Sequence, residues 1–468
     1  MDYVRCAALH NMILMEGWVG SGKPLEHNSG DDRVEFLRRR NWFEFYGAAA
    51  ERVRSRLSPC LIAFLEKAWV VDNHNLHYYV AGLSSPDYLW PYRQGGNGGE
   101  DADRYVTLYT ATGVVPGYSL EPYGLVFDQQ ENKAIIRTAM SDSAIIGNGR
   151  QQWFNLEVVL SAWFDMLRAG KVKAVTPDVK VPNEKFDPWI ILPYSNSQMQ
   201  ETLVVYHQLL DAIESRIYIT LNIPGFPKPE GQRPLIPSDS LEALNISKGF
   251  AWEFLSKARR PLFRYIAPGL EVISTDTFSY QPFSAVDPGI HQEYLETPST
   301  TQFPILLFRA AEMFHAFPSP HGAKDRRGSH LPFSWPWSQV NAYPAGLYLT
   351  DSDQKTVRFE DGVRLVLPFG IGSRGYARTS DGARFGEIKD KQGVVQPRDT
   401  HADLYQLGYV PFIGSHPVRL AQVLRSWLNQ VESGAWKVGR DGVMGGIEKW
   451  READTEAGWA GYGVPVSW

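Results

Sequence analysis

Residues 189–221 constrain the fold more than any other stretch, because their apolar pattern changes period twice. Trp189-Ile-Ile-Leu192 is a continuous apolar run stopped by Pro193, as expected of a strand covered on both faces. Leu203, Tyr206, Leu210 and Ile213 then recur at helical spacing, with Ser197 and Gln200 placed as a capping box at the helix start. Ile217-Tyr-Ile-Thr-Leu221 returns to residues that favour strands. Strand, helix and strand in that order predict a right-handed βαβ unit. Ser195 and Ser197 would then sit between a strand's C-terminal end and a helix N-terminus, where α/β folds bind ligands.

A chain of 468 residues exceeds what one core usually supports. The expected class is mixed α/β, with a Rossmann-like, synthetase-like core and additional helices and β-hairpins. Three regions are expected: 1–149, helical and β; 150–275, the α/β core, crossed by a Pro-rich linker at 224–237; and 276–468, α+β. The spacing predicts helices over 32–56, 61–71, 152–169 up to Gly170, 239–260, 303–316 and from Pro417 to Gly434. Strands are predicted at 105–109, 125–128, 134–137 and 270–274, and a hairpin pairs 356–360 with 363–367 about an Asp361-Gly362 turn.

Composition narrows the function classes. A net charge of −5 argues against a protein that coats nucleic acid through an overall positive field. Cys6 and Cys60 cannot build a disulfide framework, which fits a reducing, cytoplasmic setting. The apolar run 12–15 is short and followed by Glu16, unlike a secretory segment, and no membrane partner is expected. Gly17 to Lys23 approaches a phosphate loop, but Pro24 replaces the hydroxyl that would ligate magnesium. His74 and His77 have H-x-x-H spacing, with polar loop or core histidine as the ordinary reading.

The acidic stretch Asp31-Asp32-Arg33-Val34-Glu35 is a DDxxE pattern. On a helix Asp31 and Glu35 share a face with Asp32 beside them, so three carboxylates can converge on one cation. Asp32 and Glu35 also fit a capping box, in which the same side chains satisfy the first turn's donors. Arg38, Arg39 and Arg40 would follow on the same helix and can hold phosphates, as can Lys324, Arg326 and Arg327 in a Pro-rich loop after His321-Gly322. Ser195 and Ser197 suit either helix capping or a nucleophile with an oxyanion site. No cofactor, metal site or stable protein partner is predicted.

Together with Gly445-Gly-Ile-Glu-Lys-Trp-Arg-Glu-Ala-Asp-Thr-Glu456 and the closing residues 462–468, the DDxxE stretch resembles the arginine-containing cyclodipeptide synthases of filamentous fungi. The resemblance covers most of the chain's length. It implies an aminoacyltransferase of secondary metabolism that joins arginine and a second amino acid, both delivered as aminoacyl-tRNA, into a cyclo(Arg-Xaa) diketopiperazine. In that family the DDxxE motif is regarded as essential, which carries a catalytic role onto Asp31, Asp32 and Glu35 alone. Two other classes stay open: a magnesium-dependent prenyl or terpene enzyme using DDxxE, which wants a nearly all-helical chain, and a non-enzymatic RNA- or protein-binding protein.

Overall fold

Asp2 starts the first element: its carboxylate accepts the Arg5 N–H at 3.0 Å and caps helix α1 (Tyr3–Gly20). The computed structural model describes residues 1–23, 39–72, 74–90, 103–111, 124–137, 153–180, 186–221, 233–286, 303–316, 331–333, 336–350, 359–385, 401–408, 416–465 and 468. The chain is mixed α/β and divides into two units, one built on Met1–Leu192 and the other on Pro193–Gly408 and Ser415–Val466.

In the first unit α1 is followed by α2 (Trp42–Tyr46), α3 (Ala48–Val53) and α4 (Pro59–Leu65). Strands β1 (Val80–Leu83), β2 (Tyr105–Ala111), β3 (Gly124–Asp128), β4 (Lys133–Arg137) and β5 (Phe154–Asn155) form an antiparallel sheet in chain order. The strands predicted at 105–109, 125–128 and 134–137 are all present. Helix α5 (Leu156–Arg168) ends at Gly170, whose φ of 70° supplies the left-handed stop that the sequence predicts. Strands β6 (Val172–Ala174) and β7 (Trp189–Ile191) pair antiparallel. Helix α1 packs on α4, α5 and β6. Its two inward glycines let it approach closely: an added Cβ would lie 2.6 Å from a Trp189 ring carbon at Gly17 and 2.5 Å from the Ala174 Cβ at Gly20.

The second unit contains α6 (Asn196–Leu221), α7 (Ser238–Ala243), α8 (Phe250–Lys257), β8 (Tyr265–Ala267), β9 (Leu270–Val272), α9 (Thr275–Phe278), β10 (Ile305–His315), β11 (Ala342–Leu349), β12 (Gly362–Ile371), β13 (His401–Asp403), β14 (Val418–Arg419), α10 (Leu420–Glu432), β15 (Val438–Gly439) and β16 (Gly442–Val443). One sheet runs β13-β12-β11-β10-β9-β8-β16-β15, with β14 added beside β12. Its described pairings are antiparallel except β16 with β8. One core gathers apolar residues of α6, α8 and α10 with sheet residues such as Leu307, Leu347 and Leu365. A second cluster joins Phe283, Phe314, Phe333, Tyr343 and Tyr348.

Two expectations are corrected here, and one element was not foreseen. Residues 217–221 are the last turns of α6, not a strand, and β7 pairs with β6, so the predicted βαβ unit is absent. The β-branched run follows Ser215 and Arg216 without a break, and Ile217 packs on the core, so packing overrides strand propensity. Residues 303–316 hold strand β10 in place of a helix. Ile305 to Phe308 are all buried, and a strand covered on both faces loses the period of two that would reveal it. Helix α1 had no predicted counterpart, because its apolar residues are spread over most of its circumference and do not concentrate on one inward face. The first arm of the 356–360 hairpin lies mainly outside the described residues, and β12 pairs with β11.

Candidate functional site

Asp31, Asp32, Glu35 and Arg38 lie outside the described residues, but both ends of the segment that carries them are held by the first unit. At the entry, Gly22 adopts φ 75° after α1, and the Lys23 ammonium lies 4.6 Å from the Trp18 ring centroid. Burial pulls the Lys23 pKa down, against the opposing pull of Asp187. At the exit, the Arg40 carbonyl accepts the Val70 N–H at 3.1 Å and Asn41 bridges to Trp69. Asn41 and Glu44 then form a reciprocal capping box, both bonds at 2.9 Å, that starts α2.

This exit corrects the expectation of one helix running from 32 through Arg40. Arg39 sits at φ 46°, which breaks any helix before α2. Its guanidinium lies over the Trp69 ring and that of Arg40 over Phe45, at 5.1 and 4.9 Å. Arg39 is exposed and Arg40 half-buried. Lys324, Arg326 and Arg327 lie outside the described residues.

Ser195 and Ser197 are described, and the geometry separates them. The capping box falls at Ser195 with Gln198, not at Ser197 with Gln200. The Ser195 Oγ accepts the Gln198 N–H at 3.2 Å, and the Gln198 carboxamide oxygen accepts the Ser195 N–H at 2.9 Å. Ser195 is buried and Ser197 exposed. The cap thereby engages the Ser195 and Gln198 N–H groups and the Ser195 hydroxyl.

Behind this cap lies a buried ionic network that sequence reading missed. The Gln198 carboxamide donates to Asp361 Oδ2 at 3.0 Å, and Arg419 Nε donates to the same oxygen at 2.8 Å. Arg419 also reaches Glu201 at 3.0 Å, and Glu201 holds Arg425 at 3.0 Å. Burial works to lower the Arg419 pKa, but the Asp361 and Glu201 carboxylates outweigh it and hold the guanidinium charged. Asp361 next to Gly362 looked like a turn, and nothing local in sequence marks its partner 58 positions away.

The H-x-x-H pair is a core feature of the first unit. His77 is fully buried and stacks on Trp163, with ring centroids 5.6 Å apart. Burial pushes His77 down to about 3, and burial with the nearby Lys23 charge pushes His74 down to about 4. His10 is also pushed down to about 4 by burial. Its Nε2 faces the Trp69 carbonyl at 2.8 Å, which places the proton there and leaves Nδ1 to accept the Tyr109 hydroxyl at 3.0 Å. The near phosphate loop is likewise structural, since Gly17 and Gly20 lie within α1.

The described part of the C-terminal motif builds scaffold. Asp454 accepts four backbone N–H groups, from Gly372, Arg374, Tyr376 and Ala377, at 2.8–3.0 Å. Trp450 donates to the Pro268 carbonyl at 2.8 Å, and Gly269, at φ 70°, lets Ile447 pack against the β8–β9 turn.

No family model, curated protein or solved structure matches this chain. Among the described residues no helix is long and apolar enough to cross a membrane.

Proposed function

We propose that the chain is a tRNA-dependent cyclodipeptide synthase that joins arginine to a second amino acid, acting in the cytoplasm on arginyl-tRNA and a second aminoacyl-tRNA. The observation that carries this reading is the DDxxE stretch, Asp31, Asp32 and Glu35, in a chain whose C-terminal residues 445–456 and 462–468 share the same family resemblance. An aminoacyl ester is already activated, so the reaction needs no nucleotide, in keeping with a near phosphate loop whose first glycines lie in a helix.

The chemistry asks for carboxylates. The arginyl substrate brings a guanidinium and an α-ammonium, and cations removed from water need acidic partners. One carboxylate of the cluster binds a cation while another takes the proton from the α-ammonium, and the freed amine attacks the ester carbonyl of the second aminoacyl group. The C–N bond forms as the ester C–O bond breaks and a tRNA leaves as its hydroxyl. Repeating the attack within the dipeptidyl-tRNA closes the ring and releases the second tRNA. The antiparallel sheets of both units weigh against the prenyl or terpene alternative, which wants a helical scaffold.

Expression in a heterologous host tests it. A new arginine-containing diketopiperazine is expected by mass spectrometry, and it should disappear for Asp32→Ala and Glu35→Gln proteins that keep the wild-type circular dichroism. Folded variants that still make wild-type amounts would remove the catalytic role from the motif.

A further inference from the structure

Helix α1 is apolar over most of its circumference, with Arg5, Asn11 and Glu16 as exceptions, yet part of that apolar surface is open. Cys6, Ile13, Leu14 and Trp18 point inward and are buried. On the other side Val4, Met12 and Val19 are 56%, 40% and 47% exposed, with Ala8 exposed and Met15 half-buried between them. At about 100° per residue these five positions fall in one stripe about 80° wide along the whole helix. Val158 of α5, which packs beside α1, is 44% exposed as well. A contiguous apolar strip of this kind on a folded surface marks an interaction site.

We propose that the stripe pairs with the same stripe of a second copy of this chain, as an antiparallel helix pair about a two-fold axis near Met12. Two observations select that occupant. The stripe reads alike from either end: antiparallel pairing sets Val4 opposite Val19 and the small Ala8 opposite the larger Met15, with Met12 at the centre. A two-fold interface requires such self-complementarity. The charges agree. Arg5 and Glu16 are both exposed and flank the same edge of the stripe near opposite ends. The antiparallel arrangement brings each Arg5 beside Glu16 of the other copy, twice per dimer, whereas a parallel two-fold pair sets these edges on opposite sides and pairs neither charge. Among the described residues the Arg5 guanidinium bonds to the Ser161 hydroxyl alone, at 3.4 Å, a long and uncharged contact that a carboxylate at this edge would outcompete.

Light scattering on the full chain tests the proposal, with twice the chain mass expected at micromolar concentration. Met12→Glu places two carboxylates at the axis and should give a monomer that keeps the wild-type circular dichroism. Arg5→Glu and Glu16→Arg should each weaken the dimer about tenfold, since each removes two cross pairs. The double variant R5E/E16R exchanges the charges and should restore dimerisation, a result that a merely structural role would not produce. Met12→Cys should cross-link to a covalent dimer on oxidation. A wild-type monomer, a dimer indifferent to Met12→Glu, or a double variant no better than either single one would overturn the proposal.

Discussion

At the scale of single residues, the second unit concentrates its risk in two buried carboxylates. Removing one partner of a buried ion pair leaves the other charge stranded, at a cost of about 3–5 kcal/mol. Asp361→Ala should therefore destabilise the second unit by about that amount in urea denaturation, and adding Arg419→Met should return much of the loss. If Asp361→Ala costs nothing, or the double variant is no better than the single, the network does not carry the load its burial implies. Asp454→Ala strands four backbone donors at once and should cost about 2–4 kcal/mol, seen as early loss of amide protection at Gly372, Tyr376 and Ala377. Neither role was legible beforehand, because each depends on a partner 58 to 82 positions away. Ser195 was legible as a cap, but the box was expected two residues later.

At the scale of elements, what could be read was whatever carried its own period or its own stop. Helix α5 with Gly170, helix α10 with Gly434 and the β3–β4 hairpin announce themselves locally. Helix α1 and strand β10 do not, since elements covered on most sides lose the alternation that names them. The two inward glycines of α1, read as a broken phosphate loop, are where the helix meets the β6–β7 hairpin. Gly17→Ala should cost about 1–3 kcal/mol by forcing the Trp189 ring aside, read as a lowered urea midpoint. A neutral Gly17→Ala would mean that α1 does not press on that hairpin as described.

At the scale of the whole molecule, the first unit should be acid-labile. His10, His74 and His77 are held neutral by burial, with pKa values of about 4, 4 and 3, against about 6.5 when unfolded. Below pH about 6.5 the unfolded chain takes up protons that the folded chain refuses, so stability falls as pH falls towards 4. The three together give a slope of up to about 4 kcal/mol per pH unit, and above pH about 7 they contribute none. Replacing His77 by Phe should make the acid limb shallower by about a third, and an unchanged limb would show that His77 is not excluded from protonation. The broad class, mixed α/β, was legible in the sequence, whereas the division of the chain at Leu192 and Pro193 was not, because both sides of it are continuous with regular structure. The central claim concerns the acidic residues that lie in sequence between Lys23 and Arg39, and one reconstitution addresses it directly. Purified protein is supplied with charged arginyl-tRNA and a second aminoacyl-tRNA, with and without prior ribonuclease treatment, and the diketopiperazine is measured. The predicted result is a cyclo(Arg-Xaa) product that forms without added nucleotide and vanishes after ribonuclease treatment; product formed from free amino acids and ATP, or none from the charged tRNAs, would contradict it.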